Sequence, residues 1–120
     1  MAYLYTLSVN TSKDAKRKIR ITKQEGEIIP PSNSFFSKSV GFRMAKPNKW
    51  GERETAIVDV QEGKPFMWKV WLEKDNYKKA RKLLIDYQIR VLKKEVQEKE
   101  KLLKFAKQRL SILEEVQGND

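Results

Sequence analysis

The stretch DNYKKARKLLIDYQIRVLKKEVQEKEKLLKFAKQRLSILEEV, residues 75–116, contains neither glycine nor proline and carries apolar residues at helical spacing throughout. Gly and Pro are the residues a helix interior tolerates least, so their absence together with a period near 3.6 predicts one long basic helix. Residues 1–74 are different in kind. They consist of short alternating apolar runs separated by turn residues, which is the pattern of strands. The expected fold class is therefore α+β: about five antiparallel strands forming a small sheet or partly open barrel, followed by one long C-terminal α-helix. A single domain is expected, with a strand-rich head over 1–74 and the helix over 75–117, packed on the head and extending beyond it.

Within the helical stretch two apolar strips compete. Tyr77, Ala80, Leu84, Tyr87 and Val91 recur at spacings of three and four and suit packing on a sheet. Ile85, Ile89, Leu92, Val96, Lys99, Leu103, Ala106, Leu110 and Leu113 step 4-3-4-3, the spacing of a coiled-coil seam with one charged member. At about 1.5 Å per residue an unbroken helix of this length is roughly 63 Å long, more than a small head can cover. Its distal half is expected to meet a second copy, to fold back as a helical hairpin at the charged QEKEK stretch (97–101), or to meet a partner protein. Glu95 with Lys99 and Glu100 with Lys104, acid first and four residues apart, favour the unbroken form. Asp75 is the expected N-cap, with helix entry near residue 75.

In the head, Tyr3, Tyr5, Leu7 and Val9 alternate with Thr6 and Ser8, a half-buried first strand. Ile19 and Ile21 face one way, with Lys18, Arg20 and Thr22 opposite, a second strand able to form a hairpin with the first. The prolines of IIPPSNS break regular structure. From 35 to 44 the even positions Phe36, Val40, Phe42 and Met44 are apolar, which predicts a third strand. Residues 45–54, AKPNKWGERE, read as a basic, turn-rich loop. TAIVDVQ and FMWKVWLE then read as two strands joined in a hairpin by QEGKP. The last is apolar on both sides, with Phe66, Trp68, Val70 and Leu72 against Met67 and Trp71, as expected of a strand covered twice.

The 120 residues include no cysteine and no histidine, which removes thiolate nucleophiles, disulfides and zinc sites with sulfur or imidazole ligands. No cofactor and no metal is expected, and no catalytic residue is assigned. The one enzyme-like pattern is Asp59 followed by Glu62, Gly63 and Lys64, a superficial match to a Mg²⁺-dependent nuclease. Carboxylates straddling a tight turn are expected to splay rather than converge on a metal. No apolar stretch approaches the length that spans a bilayer, and the N-terminus lacks the pattern of a secretory signal, so an intracellular, cytoplasmic protein is expected.

The formal net charge is +10, from 26 Lys and Arg against 16 Asp and Glu, and it is divided evenly between the two halves of the chain. A balance of this kind favours an anionic partner: nucleic acid, a nucleoprotein or an acidic protein face. The cations expected to serve it are Lys18 and Arg20 on the second strand, Lys38 and Arg43 on the third, and Lys46 and Lys49 beside Trp50 in the following loop. On the helix Lys79, Lys82, Arg90 and Lys93 add a stripe. An exposed indole at Trp50 would stack on an unpaired base. For a protein or dimer interface the expected residues are Ile89, Leu92, Val96, Leu103, Ala106, Leu110 and Leu113. Two functions are thus anticipated, with the metal-dependent nuclease through Asp59 as a remote third. The first is a non-catalytic basic protein engaging nucleic acid or a nucleic-acid-handling complex. The alternative is a small phage or mobile-element inhibitor that binds a host defence or replication enzyme.

Overall fold

The computed structural model describes residues 1–11, 18–29 and 39–118. Five strands and one helix follow one another in the order β1 (Ala2–Val9), β2 (Ile19–Ile29), β3 (Ser39–Met44), β4 (Thr55–Asp59), β5 (Lys69–Leu72) and α1 (Tyr77–Gly118). The strands form one open sheet in the order β4-β3-β2-β1-β5, with every neighbouring pair antiparallel. The long helix runs unbroken through the charged 97–101 stretch, where Lys99 Nζ lies 2.9 Å from Glu95 Oε1.

The chain forms two compact units, Met1–Gln88 and the segment from Ile89 onward. In the first, apolar side chains are buried on both faces of the sheet. Ala2, Leu4, Val40, Phe42, Met44, Val58 and Trp71 make one cluster. Tyr5, Leu7, Val70 and Leu72 make the other, closed by Ala80 and Leu84 of α1. Because successive strand residues point to opposite faces, β1 serves both clusters: Leu4 is fully buried in one and Tyr5 in the other. The half-buried alternation expected for this strand is accordingly corrected. Leu4 belongs to a core of its own, and Val9 at the strand end is exposed.

The expected β4–β5 hairpin does not form. β4 pairs with β3, β5 pairs with β1, and the two strands lie at opposite edges of the sheet. Pairing with β1 sets Val70 opposite Tyr5 and Leu72 opposite Tyr3, which buries both beneath the helix. The edges still communicate, since Trp71 Nε1 donates to the Asp59 carbonyl at 2.7 Å and gives a buried indole its required partner. β5 also begins later than expected. Phe66 and Lys69 exchange two backbone hydrogen bonds, of 2.8 and 3.0 Å, across a turn formed by Met67 and Trp68, and Met67 takes a φ of 56°. That is the left-handed region, costly for a side-chain-bearing residue.

Helix entry is corrected as well. Asn76 is the N-cap: its Oδ1 accepts from Lys79 N at 3.1 Å and its carbonyl from Ala80 N at 3.1 Å. The buried face of α1 is Ala80, Leu84 and Gln88, while Tyr77 and Val91 of the expected strip are exposed. Gln88 is buried because its amide Nε2 donates to the carbonyl of Met67, holding the strained turn against the helix.

Candidate nucleic-acid interface

The connection from β3 to β4 is built around one side chain. Asn48 Oδ1 accepts from Trp50 N at 2.9 Å and from Glu52 N at 3.0 Å, and Asn48 Nδ2 donates to Glu54 Oε1 at 3.3 Å. Backbone bonds from Asn48 N to Glu52 O (2.7 Å) and from Gly51 N to Asn48 O (3.0 Å) close the loop, with Gly51 at a φ of 80° that only glycine adopts readily. Arg53 Nε donates to Met44 O at 2.9 Å, and its Nη2 lies 3.4 Å from Glu27 Oε1, fastening the loop to the sheet.

This scaffold holds Trp50 out of the core, 72 % exposed, with Lys49 Nζ 4.5 Å from the ring centroid. A cation over the indole face is attracted by the ring quadrupole. Lys46 is exposed on the same connection and borders a shallow depression with Lys23, Gln24, Glu25 and Met44. The loop therefore holds an indole and the Lys49 ammonium together on a backbone that its own hydrogen bonds have already ordered, with Lys46 exposed earlier on the same connection.

The strand cations do not join them on one surface. The pairings Ser8 with Arg20 and Ala2 with Gly26 put Arg20 on the Leu4 face of the sheet. Arg43 pairs with Glu27 and so lies on the opposite face, that of Tyr5. Both arginines are exposed, but they do not share a single cationic strand face, and Glu27, opposite Arg43 in the register, is paired with Arg53. Lys18 is exposed immediately before β2. Lys38 lies outside the described residues, as does the 35–38 part of the expected third strand with Phe36. Lys79 and Lys82 are exposed on the part of α1 that belongs to the first unit, and Arg90 and Lys93 on the part that belongs to the second.

A further cation, Lys23, which borders the same depression as Lys46, is already committed. Its Nζ lies 2.6 Å from Asp75 Oδ2, and Asp75 also accepts from the Tyr5 hydroxyl. The hydroxyl in turn accepts from Asn76 N at 2.9 Å. Burial, and then the bond to Asp75, push the Tyr5 hydroxyl up to about 12 from its ordinary 10.0. Hydrogen bonds from Lys23 and then Tyr5 hold Asp75 below the usual carboxylate range, and the bond to Asp75 raises Lys23. Nothing in the sequence pattern pointed to this cluster.

The nuclease-like residues are engaged in holding the β4–β5 connection. Asp59 Oδ1 accepts from Gln61 N at 2.8 Å, its Oδ2 lies 4.0 Å from Lys64 Nζ, and Glu62 Oε1 accepts from Glu73 N at 3.0 Å. Among the described residues no group of three or more acidic side chains is placed to hold a metal.

In the second unit every described residue is exposed, including Ile89, Leu92, Val96, Leu103, Ala106, Leu110 and Leu113 of the seam. Leu102, Phe105, Ile112 and Val116, on other sides of the helix, are exposed too. Among the described residues no helix is long and apolar enough to cross a membrane. Comparison with family models, with curated proteins and with solved structures gives no match.

Proposed function

We propose that this chain is a non-catalytic, basic binding protein that engages single-stranded nucleic acid, alone or within a nucleic-acid-handling complex, through the β3–β4 loop. The observation that carries this reading is Trp50. An indole side chain ordinarily contributes a few kcal/mol by burial in a core, and here it stands in solvent beside Lys49, on a loop ordered by hydrogen bonds to Asn48 that also carries Lys46. An aromatic flanked by ammonium groups is the elementary unit of single-strand recognition: the ring stacks on a base whatever its identity, and the cations neutralise phosphates. The split of Arg20 and Arg43 onto opposite faces favours a contact centred on the loop over one laid across the sheet.

The test is binding of short labelled single strands and duplexes of DNA and RNA over a range of salt. Single strands bind more tightly than duplexes, with log affinity falling linearly in log salt by about 0.7 for each phosphate neutralised. Absence of binding at low salt removes the reading.

A second reading, a protein partner such as a host enzyme bound by a phage or mobile-element inhibitor, is favoured by the uncovered apolar seam from Ile89 to Leu113. Under it, Leu103→Glu with Leu110→Glu abolishes partner binding and leaves the melting of the first unit unchanged.

A further inference from the structure

We propose that the segment from Ile89 onward self-associates as an antiparallel, two-fold symmetric coiled coil in one register, with Lys93 opposite Glu114 and Glu100 opposite Lys107 of a second copy. This does not depend on nucleic-acid binding. It commits the seam to a second copy of this chain, and it follows from charge placement on the one helix.

Reading the seam as a heptad puts Ile89, Val96, Leu103 and Leu110 at a and Leu92, Lys99, Ala106 and Leu113 at d. The e positions, one residue beyond each d and beyond Ile85, which takes the d place one heptad earlier, are then Asp86, Lys93, Glu100, Lys107 and Glu114: their sign alternates at every heptad. The charges at e and g decide orientation, because parallel helices bring g against e of the next heptad, whereas antiparallel helices bring e against e.

A parallel pair is penalised twice, against one favourable contact of Arg109 at g with Glu114 at e. It sets Lys99 against Lys99 of the second copy within the seam, and Glu95 at g against Glu100 at e. An antiparallel pair with Leu103 over Ala106 of the second copy removes both faults. Lys99 then faces Leu110 and Val96 faces Leu113. The Lys99 ammonium is already bonded to Glu95 of its own helix at 2.9 Å, so its methylene stem packs on Leu110 while the charge stays at the rim. Lys93 meets Glu114 and Glu100 meets Lys107, and two-fold symmetry repeats each pair.

The alternation also selects the register. Sliding one helix by a heptad places Lys93 against Lys107 and Glu100 against its own copy, so attraction becomes repulsion. Sliding by two heptads restores opposite signs but requires Ile85, which is packed against the Tyr5 cluster. The register proposed uses only residues exposed in the second unit.

The experiment is sedimentation equilibrium of the full chain, its Glu100→Lys and Lys107→Glu variants and the double variant. Helicity is followed by circular dichroism to confirm that each variant is folded. The natural chain is expected to be a dimer. Each single reversal turns two attractive pairs repulsive and raises the dimer dissociation constant about tenfold, and the double variant restores it. In a parallel dimer Glu100→Lys would instead meet Glu95 and tighten association, which overturns the proposal. The chain has no cysteine of its own. An equimolar mixture of Leu103→Cys and Ala106→Cys chains, oxidised and read by mass spectrometry, should therefore give the mixed 103–106 disulfide. A predominant 103–103 disulfide, or a natural chain that remains monomeric, refutes it.

Discussion

The Tyr5 hydroxyl donates to the carboxylate of Asp75, 70 residues away in the chain, and accepts from the backbone amide of Asn76 at 2.9 Å. One side chain on the strand shared by both core clusters thus fixes the point where α1 begins. Asp75 is not the helix cap. It is freed by Asn76 to answer Tyr5 and Lys23 instead.

Tyr5→Phe removes a buried hydroxyl from between a carboxylate and an amide and leaves both short of a partner. Net loss of about 1–3 kcal/mol is expected. Urea unfolding checks it: a lower midpoint at unchanged slope is the expected outcome, and an unchanged midpoint shows that the tie contributes nothing.

The same cluster sets an alkaline limit to stability. Tyr5 holds its proton more tightly folded than unfolded, so its contribution is complete below pH 10 and is lost as pH rises from 10 towards about 12. The raised pKa of Lys23 acts in the same direction, its contribution being lost as pH climbs through the elevated folded value. The depressed pKa of Asp75 acts at the other end, stabilising above its unfolded value near 4 and failing as pH falls through the lower folded one. Chemical unfolding of the natural chain and of Tyr5→Phe between pH 9 and 12 should differ in slope by about one proton. Parallel curves contradict the assignment.

Gly26→Ala is expected to be among the most damaging single substitutions in the sheet. Gly26 sits between Ala2 and Met44, and a Cβ there would lie 2.2 Å from the Arg43 carbonyl oxygen and 2.5 Å from Phe42 Cε1. Backbone cannot yield as a flexible side chain does, so a loss of about 2–4 kcal/mol is expected in the unfolding free energy. A change under 0.5 kcal/mol would mean that β2 and β3 separate freely.

Met67→Gly should move stability the other way. The left-handed φ of Met67 costs a side-chain-bearing residue about 1 kcal/mol, and the side chain is exposed, so little packing is lost. A thermal midpoint raised by a few degrees is the expected result. A lowered one shows that the Met67 side chain packs productively despite its exposure.

The alternation of β3 and the unbroken course of α1 were legible in the sequence because each is a local period: every second residue in one, every third and fourth in the other. The pairing of β5 was not. Strands adjacent in sequence usually pair, but here Val70 and Leu72 lie opposite Tyr5 and Tyr3 of β1 and are buried there, a placement set by the whole sheet and not by the local sequence. The same limit explains the arginines. Alternation tells which side of its own strand Arg20 or Arg43 takes, but in a sheet buried on both faces it does not tell whether two strands turn their apolar sides to the same core. Gln88 and the Tyr5–Asp75 pair escaped notice because a polar residue is buried only by virtue of a distant partner. For Trp50 the loop was evident from AKPNKWGERE, whereas the role of Asn48 in holding the ring outward emerged only with the hydrogen bonds in place.

The most direct measurement is the affinity of the natural chain, Trp50→Phe and Trp50→Ala for one single-stranded oligonucleotide at fixed low salt. Loss of a stacked base is worth about 1–3 kcal/mol, so Trp50→Ala should weaken binding by roughly 5- to 150-fold, with Trp50→Phe in between and the salt slope unchanged in all three. Equal affinities for the three chains would contradict a contact made through the indole.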